Sequence, residues 1–384
     1  MVHGVNPYAP LGPVAGLTFA NPYSAQDSAT IAYLPFWPVL TGLLYIVYTA
    51  VGFDNRFVYY FLLKQPIIVG DIFLAYLLYR YISSRTSQQG PSLWAARLWA
   101  LSPFTLILSG VWGMFDSLSM CFILIAIITN GYVKRSFWIG VGIFTKSLAL
   151  IYAIPATIRK PRTWWGLAIA VGLPALATIL TLIGMGWSIS IATTTLASTV
   201  VKGGGSMSVW DAFYYLNYLQ IMPILPTELA NILGFVWVPA IIAFTVVAFR
   251  KFGFETEHGL VQSMLIVTLV FLIFKARVTE QYAIYLLALA VVDVALWNPK
   301  RKPLLVATMV TALFFLLVNN YFLVRFLAPV YPDYVKIEQG LSQIEPLRLA
   351  LLFASGTIFT CLNLTYLIGI MKSGRVDRLR LLSE

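Results

Sequence analysis

Apolar residues in this chain run on for about twenty positions at a time, and polar residues are confined to short breaks between the runs. The runs cover 31–52, 57–82, 93–110, 115–133, 164–187, 229–249, 260–274, 281–297, 303–325 and 347–371, with two shorter ones at 137–145 and 147–158. A hydrocarbon core about 30 Å thick takes roughly 20 helical residues to cross, so the pattern predicts roughly ten membrane elements. In lipid every backbone N–H and C=O has to be satisfied within its own segment, which selects helices. The expected fold class is all-α, a polytopic transmembrane helical bundle with short broken helices and outer loops. The two short runs flank Lys146, and neither is long enough to span; they predict a broken hairpin of half-helices that enters and leaves on one side. Pro35 and Pro38 fall in the first turns of 31–52, which therefore reads as a partial or interfacial element.

Composition agrees with this pattern. Of the 384 residues 59% are hydrophobic and 11% charged, whereas a soluble domain carries about 25% charged residues and needs them to cover its surface. Phe, Trp and Tyr make up 15% and many flank the apolar runs, as interfacial belts do. A net charge of +11 would suggest nucleic acid in a soluble protein. Here basic residues gather in the breaks, as the positive-inside rule requires, and nucleic acid is excluded as a partner. With Arg80, Arg85 and Arg97 on the cytoplasmic side, Lys134-Arg135, Arg159-Lys160, Arg162, Arg250-Lys251, Lys300 to Lys302, Lys372, Arg375, Arg378 and Arg380 fall there too. Cys121 and Cys361 lie inside apolar runs and are expected as free buried thiols.

This orientation puts residues 1–30, the Gly113–Asp116 turn, Lys146, 188–228, Lys275–Gln281 and 326–346 on the opposite, outer side. Ionisable groups surviving at the membrane without a basic-cluster explanation are functional candidates. They are the acids Asp116 and Glu280 and the cations Lys146, Lys275 and Arg277. Each also has a structural explanation. Asp116 stands where it would cap a helix, Glu280 is within reach of Lys275 and Arg277 for an ion network, and Lys146 is long enough to snorkel. Lys64 and Asp71 share one helix face and are read as holding neighbouring helices together. Gly203-Gly204-Gly205-Ser206 reads as a flexible outer loop.

Several stretches occur in a recognisable order. They are Asn21-Pro22-Tyr23 with Ala32-Tyr33-Leu34-Pro35, Lys64-Gln65-Pro66 with Asp71, and Leu101-Ser102-Pro103-Phe104-Thr105 followed by Trp112-Gly113-Met114-Phe115-Asp116-Ser117. Gly142-Ile143-Phe144-Thr145-Lys146 and Lys275-Ala276-Arg277-Val278-Thr279-Glu280-Gln281-Tyr282 complete the series. This order resembles the GT-C glycosyltransferases, and within them the catalytic subunit that adds the first mannose in GPI-anchor synthesis (the PIG-M type) and its archaeal relatives. The resemblance covers roughly residues 5–300. It implies a GT-C-like catalytic membrane module over 31–300, preceded by an outer N-terminal loop at 1–30 and followed by C-terminal transmembrane helices and a basic cytoplasmic tail at 301–384.

The resemblance also implies a function: inverting transfer of a sugar, mannose in the closest relatives, from a dolichyl- or polyprenyl-phosphate donor to a glycan or glycolipid acceptor on the extracytoplasmic face of a cell or ER membrane. Asp116 and Glu280 would be the catalytic acids. Lys146, Lys275, Arg277, Gln281 and Tyr282 would contact the donor's phosphate or sugar. No metal ligand is assigned; a divalent ion stays open, because oligosaccharyltransferases of the same broad class use one. A small partner subunit also stays open. One departure bears on activity. The family's usual base is an acid in the first outer loop, delivered by a preceding span, and Met1-Val2-His3-Gly4-Val5-Asn6-Pro7-Tyr8 reads like the middle of that loop. The expectation is a truncated start or a short form, with Asp27 the acid left in the segment. Two further readings stand beside the enzyme: a transporter or lipid flippase, to which broken helices are common, and a non-catalytic GT-C-like subunit.

Overall fold

The computed structural model describes residues 33–52, 56–158, 164–198, 206–221 apart from 219, 234–320 apart from 277, 344–381 and a few positions between 333 and 340. The described elements are helical, with no strand among them. In chain order they are α1 Phe36–Ala50, α2 Arg56–Ser83, α3 Gln89–Ala100, α4 Asp116–Ile128, α5 Tyr132–Thr145, α6 Ser147–Thr157, α7 Trp164–Gly184, α8 Ile189–Ser198, α9 Ala212–Tyr218, α10 Trp237–Phe252, α11 Glu257–Phe274, α12 Ala283–Leu296, α13 Lys302–Asn319 and α14 Glu345–Leu381. Among the described residues, Val58–Ser83, Trp164–Gly184, Glu257–Phe274, Pro299–Asn319 and Glu345–Ser373 are long and apolar enough to cross a membrane. They make the chain a membrane protein. The remaining apolar runs resolve into shorter helices.

Burial sorts the helices into layers. In α11, 83% of the apolar window is buried, against 22% in α7. A helix that is hydrophobic all round belongs at the centre of a bundle, whereas one that leaves Leu176, Leu180 and Ile183 uncovered has lipid as its neighbour. α12 is buried from Ala283 to Val294. It packs on α11 and is flanked by α2, α3, α4 and α13, while α10 and α14 cover α11. The outer faces of α2 and α14 carry Val69, Ile72, Phe73, Ile358 and Leu364, all exposed. Cys121 is buried as expected, but Cys361 lies on the uncovered face of α14, because an apolar run on a peripheral helix has a lipid side as well as a core side.

Four expectations about element boundaries need correction. The run 93–110 is not one helix. α3 stops at Ala100, Ser102 is extended (φ −65°, ψ 122°) and Pro103 starts a short helix that widens into a π-turn over Leu106–Trp112. Proline disfavours helical backbone in the residue before it and suits the first position of a new helix. The 188–228 segment holds helices α8 and α9 as well as a loop. The last run extends beyond 347–371 to become the 37 residues of α14. Glu280–Tyr282 forms a separate 3-10 turn ahead of α12. The break at Lys146 falls where the short flanking runs put it, with Lys146 extended (φ −149°, ψ 119°) between α5 and α6.

One end of the bundle is tied by basic residues. Arg85, just past α2, makes a two-pronged contact with Glu257 at the start of α11, and the Tyr81 hydroxyl donates to the same carboxylate at 3.3 Å. Arg135 is buried. Its Nε donates to the Ala126 carbonyl at 3.1 Å and its Nη2 to Thr129 at 3.2 Å, so it satisfies the open carbonyls at the C-terminus of α4. At the start of α11, Thr256 accepts from the Gly259 N–H at 3.0 Å. A Cβ on Gly259 would sit 2.6 Å from the Phe252 carbonyl oxygen and 2.8 Å from that of Gly253. Both atoms are backbone and cannot swing aside. Gly259→Ala is therefore expected to cost about 2 kcal/mol, read as a lowered melting point of the detergent-solubilised protein; an unchanged melting point would show that the turn before α11 yields freely.

Candidate functional site

At the opposite end of the same helices, Asp116 opens α4 and Lys146 stands in the break after α5. The Lys146 ammonium meets Asp116 Oδ2 at 3.1 Å, with the carboxylate 0% and the lysine side chain 5% exposed. Their local structures explain the approach. Gly113 (φ +88°) closes the π-turn in a left-handed conformation that suits glycine, and this swings the chain into α4 with Asp116 in its first turn. The extended backbone at Lys146 points the lysine side chain away from the axis of α5. Lys146 thus turns into the protein and does not snorkel. Asp116 stands in the first turn of its helix, and its Oδ2 meets a cation from another element.

Aromatic rings enclose the ammonium. It lies 4.6 Å from the centroid of Tyr33 and 4.5 Å from that of Phe115. Tyr33 meets Phe115 edge-on at 4.9 Å, and Trp37 stacks on Phe115 at 4.2 Å. A desolvated cation over ring faces gains about 2 kcal/mol, so the cage adds to the attraction of Asp116 in holding the ammonium in place. Tyr282 and Tyr285, on either side of the α12 N-terminus, also approach the pair, Tyr282 toward Lys146 and Tyr285 toward Asp116. Asp116 Oδ1 makes no hydrogen bond among the described residues. A buried oxygen of that kind calls for a missing partner.

The Lys275–Tyr282 segment joins this centre through rings. Lys275, buried at the end of α11, lies 5.7 Å over Phe271 and 5.2 Å over Trp237. Phe271 meets Tyr282 edge-on at 5.5 Å, and Tyr282 faces Lys146. The indole N–H of Trp237 and the Oε1 of Gln281 are buried without a hydrogen-bond partner among the described residues. Glu280 is 1% exposed, and its Oε1 accepts from Asn319 at 2.6 Å and Asn320 at 2.9 Å, both at the C-terminal end of α13. Two side-chain amides are thus among its partners; the expected network with Lys275 and Arg277 involves Arg277, which lies outside the described residues. Lys64 and Asp71 support the site from α2. Lys64 donates to the Val111 carbonyl at 2.7 Å, and Asp71 faces Trp99, Ser109 and Ser117. Both brace the turn that delivers Asp116, in keeping with a role in holding helices together.

Of the expected site residues, Asp116, Lys146 and Lys275 are buried and are linked through Phe271 and the half-buried Tyr282, which shares its turn with the buried Glu280 and Gln281. Asp27 and Arg277 lie outside the described residues, as do the 1–30 loop and Gly203–Gly205. Tyr33 and Phe115 stand in the quoted stretches without a role, and Trp37, Tyr285 and the Asn319-Asn320 pair are not among the residues that the sequence marks. The asparagines carry a detectable signal, two adjacent amides at the end of an apolar run, where an unpaired amide is costly. Among the described residues no three His, Cys, Asp or Glu side chains cluster to hold a metal ion. The chain matches no family model, no curated protein and no solved structure.

Proposed function

We propose that the chain is a multi-pass membrane glycosyltransferase that moves a sugar, mannose by preference, from a polyprenyl- or dolichyl-phosphate to a glycan or glycolipid hydroxyl on the extracytoplasmic face. The observation that carries this reading is the buried Asp116–Lys146 pair, with one carboxylate oxygen unpartnered and Lys275 and Gln281 in the same region. In this reading Asp116 Oδ1 takes the proton of the acceptor hydroxyl as its oxygen bonds to the anomeric carbon. The bond from that carbon to the phosphate oxygen breaks, and the electron pair leaves with the phosphate. Lys146 and Lys275 stabilise the charge that develops there, in a region where few water molecules compete. Attack opposite the departing phosphate inverts the anomeric centre. Glu280, fixed by two amides, orients the donor sugar beside Gln281 and Tyr282. The extracytoplasmic assignment rests on the separation of this centre from Arg85, Arg135 and Arg301, which gather at the other ends of the helices.

The test uses membranes containing the full chain, labelled polyprenyl-phosphate mannose and a glycolipid acceptor. Transfer is expected with the unaltered protein. It should fall by about a hundredfold or more in Asp116→Ala and Glu280→Ala, the scale of a lost general base or positioning group. If the membranes capture no polyprenyl-phosphate sugar, the reading fails. Capture without transfer would mark a non-catalytic subunit, and movement of the lipid between leaflets would mark a flippase.

A further inference from the structure

A second surface, remote from the Asp116 centre, has the composition of a lipid seat. α10 and α14 both pack against α11 and leave a groove of about 540 Å3 between them. Phe244 of α10 and Leu364, Leu367 and Ile368 of α14 line its apolar length. At one end stand two ammonium groups, Lys251 from the last turn of α10 and Lys372 from α14. No carboxylate lines the groove among the described residues. Its charged end lies with the basic end of the bundle, because Ser373, next to Lys372, accepts from Arg301 Nη2 at 3.0 Å. Leu364 and Ile368 are 45% and 44% exposed on the outer side of α14.

We infer that this groove binds one anionic glycerophospholipid, with its phosphate held between Lys251 and Lys372 and an acyl chain laid along Phe244, Leu364, Leu367 and Ile368. Three features select that occupant. The walls are apolar, which suits a chain and excludes a soluble anion as the sole ligand. The two cations come from different helices and converge at one level, where a snorkelling lysine meets headgroups. Two of its lining residues, Leu364 and Ile368, lie on the uncovered side of a helix long and apolar enough to span, so a lipid can reach it from the membrane. Basic pockets between transmembrane helices on the cytoplasmic side commonly take acidic headgroups. The bound lipid would bridge α10 and α14, which otherwise meet through α11.

Native mass spectrometry of the full chain in detergent, titrated with phosphatidylglycerol or phosphatidylcholine of identical chains, tests the inference. Phosphatidylglycerol is expected to bind about tenfold tighter, since each lysine near a headgroup contributes a severalfold preference. Lys251→Gln/Lys372→Gln should remove that preference while leaving phosphatidylcholine binding unchanged. Ile368→Trp, which fills the groove, should weaken both lipids. Glycerol phosphate, a headgroup without chains, should not compete at millimolar levels. If the unaltered protein shows no preference, or the double variant keeps it, the inference is overturned. Should the double variant prove unrecoverable, the preference of the unaltered protein at rising salt decides: loss supports a phosphate held by the two lysines at the groove's end, and persistence overturns it.

Discussion

Asp116→Ala is expected to destabilise the protein by about 3–5 kcal/mol, as well as abolish transfer, because it strands the Lys146 ammonium in a site without a counter-charge. The cage of Tyr33 and Phe115 softens that penalty and does not replace an anion at 3.1 Å. Lys146→Met should cost a similar amount by leaving the fully buried Asp116 carboxylate alone. Joining the two changes tells structure from chemistry. Asp116→Ala/Lys146→Met removes both charges and fills much of the space with an unbranched apolar chain. It is expected to recover most of the lost stability, since a buried ion pair is often no better than a well-packed apolar replacement. Transfer should not recover with it. Unfolding in graded denaturing detergent gives the four corners of the cycle. Additive losses, with no recovery in the double variant, would mean that the two groups do not act as a pair.

The second large effect lies far from that centre. Asp293 is fully buried in α12 and accepts four hydrogen bonds from separate parts of the chain. Gln262 of α11 and Asn298 donate to Oδ1 at 2.5 and 2.7 Å; Arg301 and the Tyr366 hydroxyl of α14 donate to Oδ2, each at 2.8 Å. The carboxylate thus ties α11, α12, the turn before α13 and α14 at one point. Asp293→Ala leaves an arginine and three polar groups without their acceptor, and is expected to cost about 3–5 kcal/mol. Asp293→Asn keeps the volume and one carbonyl acceptor, so it should cost less. Sugar transfer per folded molecule is expected to stay unchanged in both, since Asp293 lies at the basic end of the bundle. Detergent unfolding paired with the transfer assay checks this. A loss below about 0.5 kcal/mol would place Asp293 with ordinary surface positions.

What the sequence reveals here follows from where charges can sit. Lys146 betrays its break because the apolar runs on either side of it are each too short to span. Asp116, Glu280 and Lys275 stand out as ionisable groups at the membrane without a basic-cluster explanation. The pairing of Asp116 with Lys146 is harder to read: thirty residues separate them, and each alone has a sufficient local explanation as a cap or a snorkelling chain. Tyr33, Phe115 and Trp37 are invisible in a sequence where aromatics are common, because belt and cage use the same residues. The split between α3 and the π-turn was overlooked for a different reason. Hydropathy averages across Ser102-Pro103, while backbone geometry does not. Arg135 shows the reverse case: it was counted as a topological charge in a cytoplasmic loop, yet its guanidinium is buried as a helix cap.

The amides that hold Glu280 also impose an order in time. Asn319 and Asn320 follow it by 39 and 40 residues. At a synthesis rate of about 5–20 residues per second, the carboxylate emerges roughly 2–8 s before either partner exists. Throughout that interval it lacks the two amides that hold it in the folded protein. α12 therefore settles only once α13 has been made, and the two enter the bilayer as a pair. Asp293 waits longer still, since Tyr366 lies 73 residues downstream. α14 thus adds the last of four donors to a carboxylate that Gln262, Asn298 and Arg301 already reach, and a ribosome that stalls between them leaves the buried acid one hydrogen bond short.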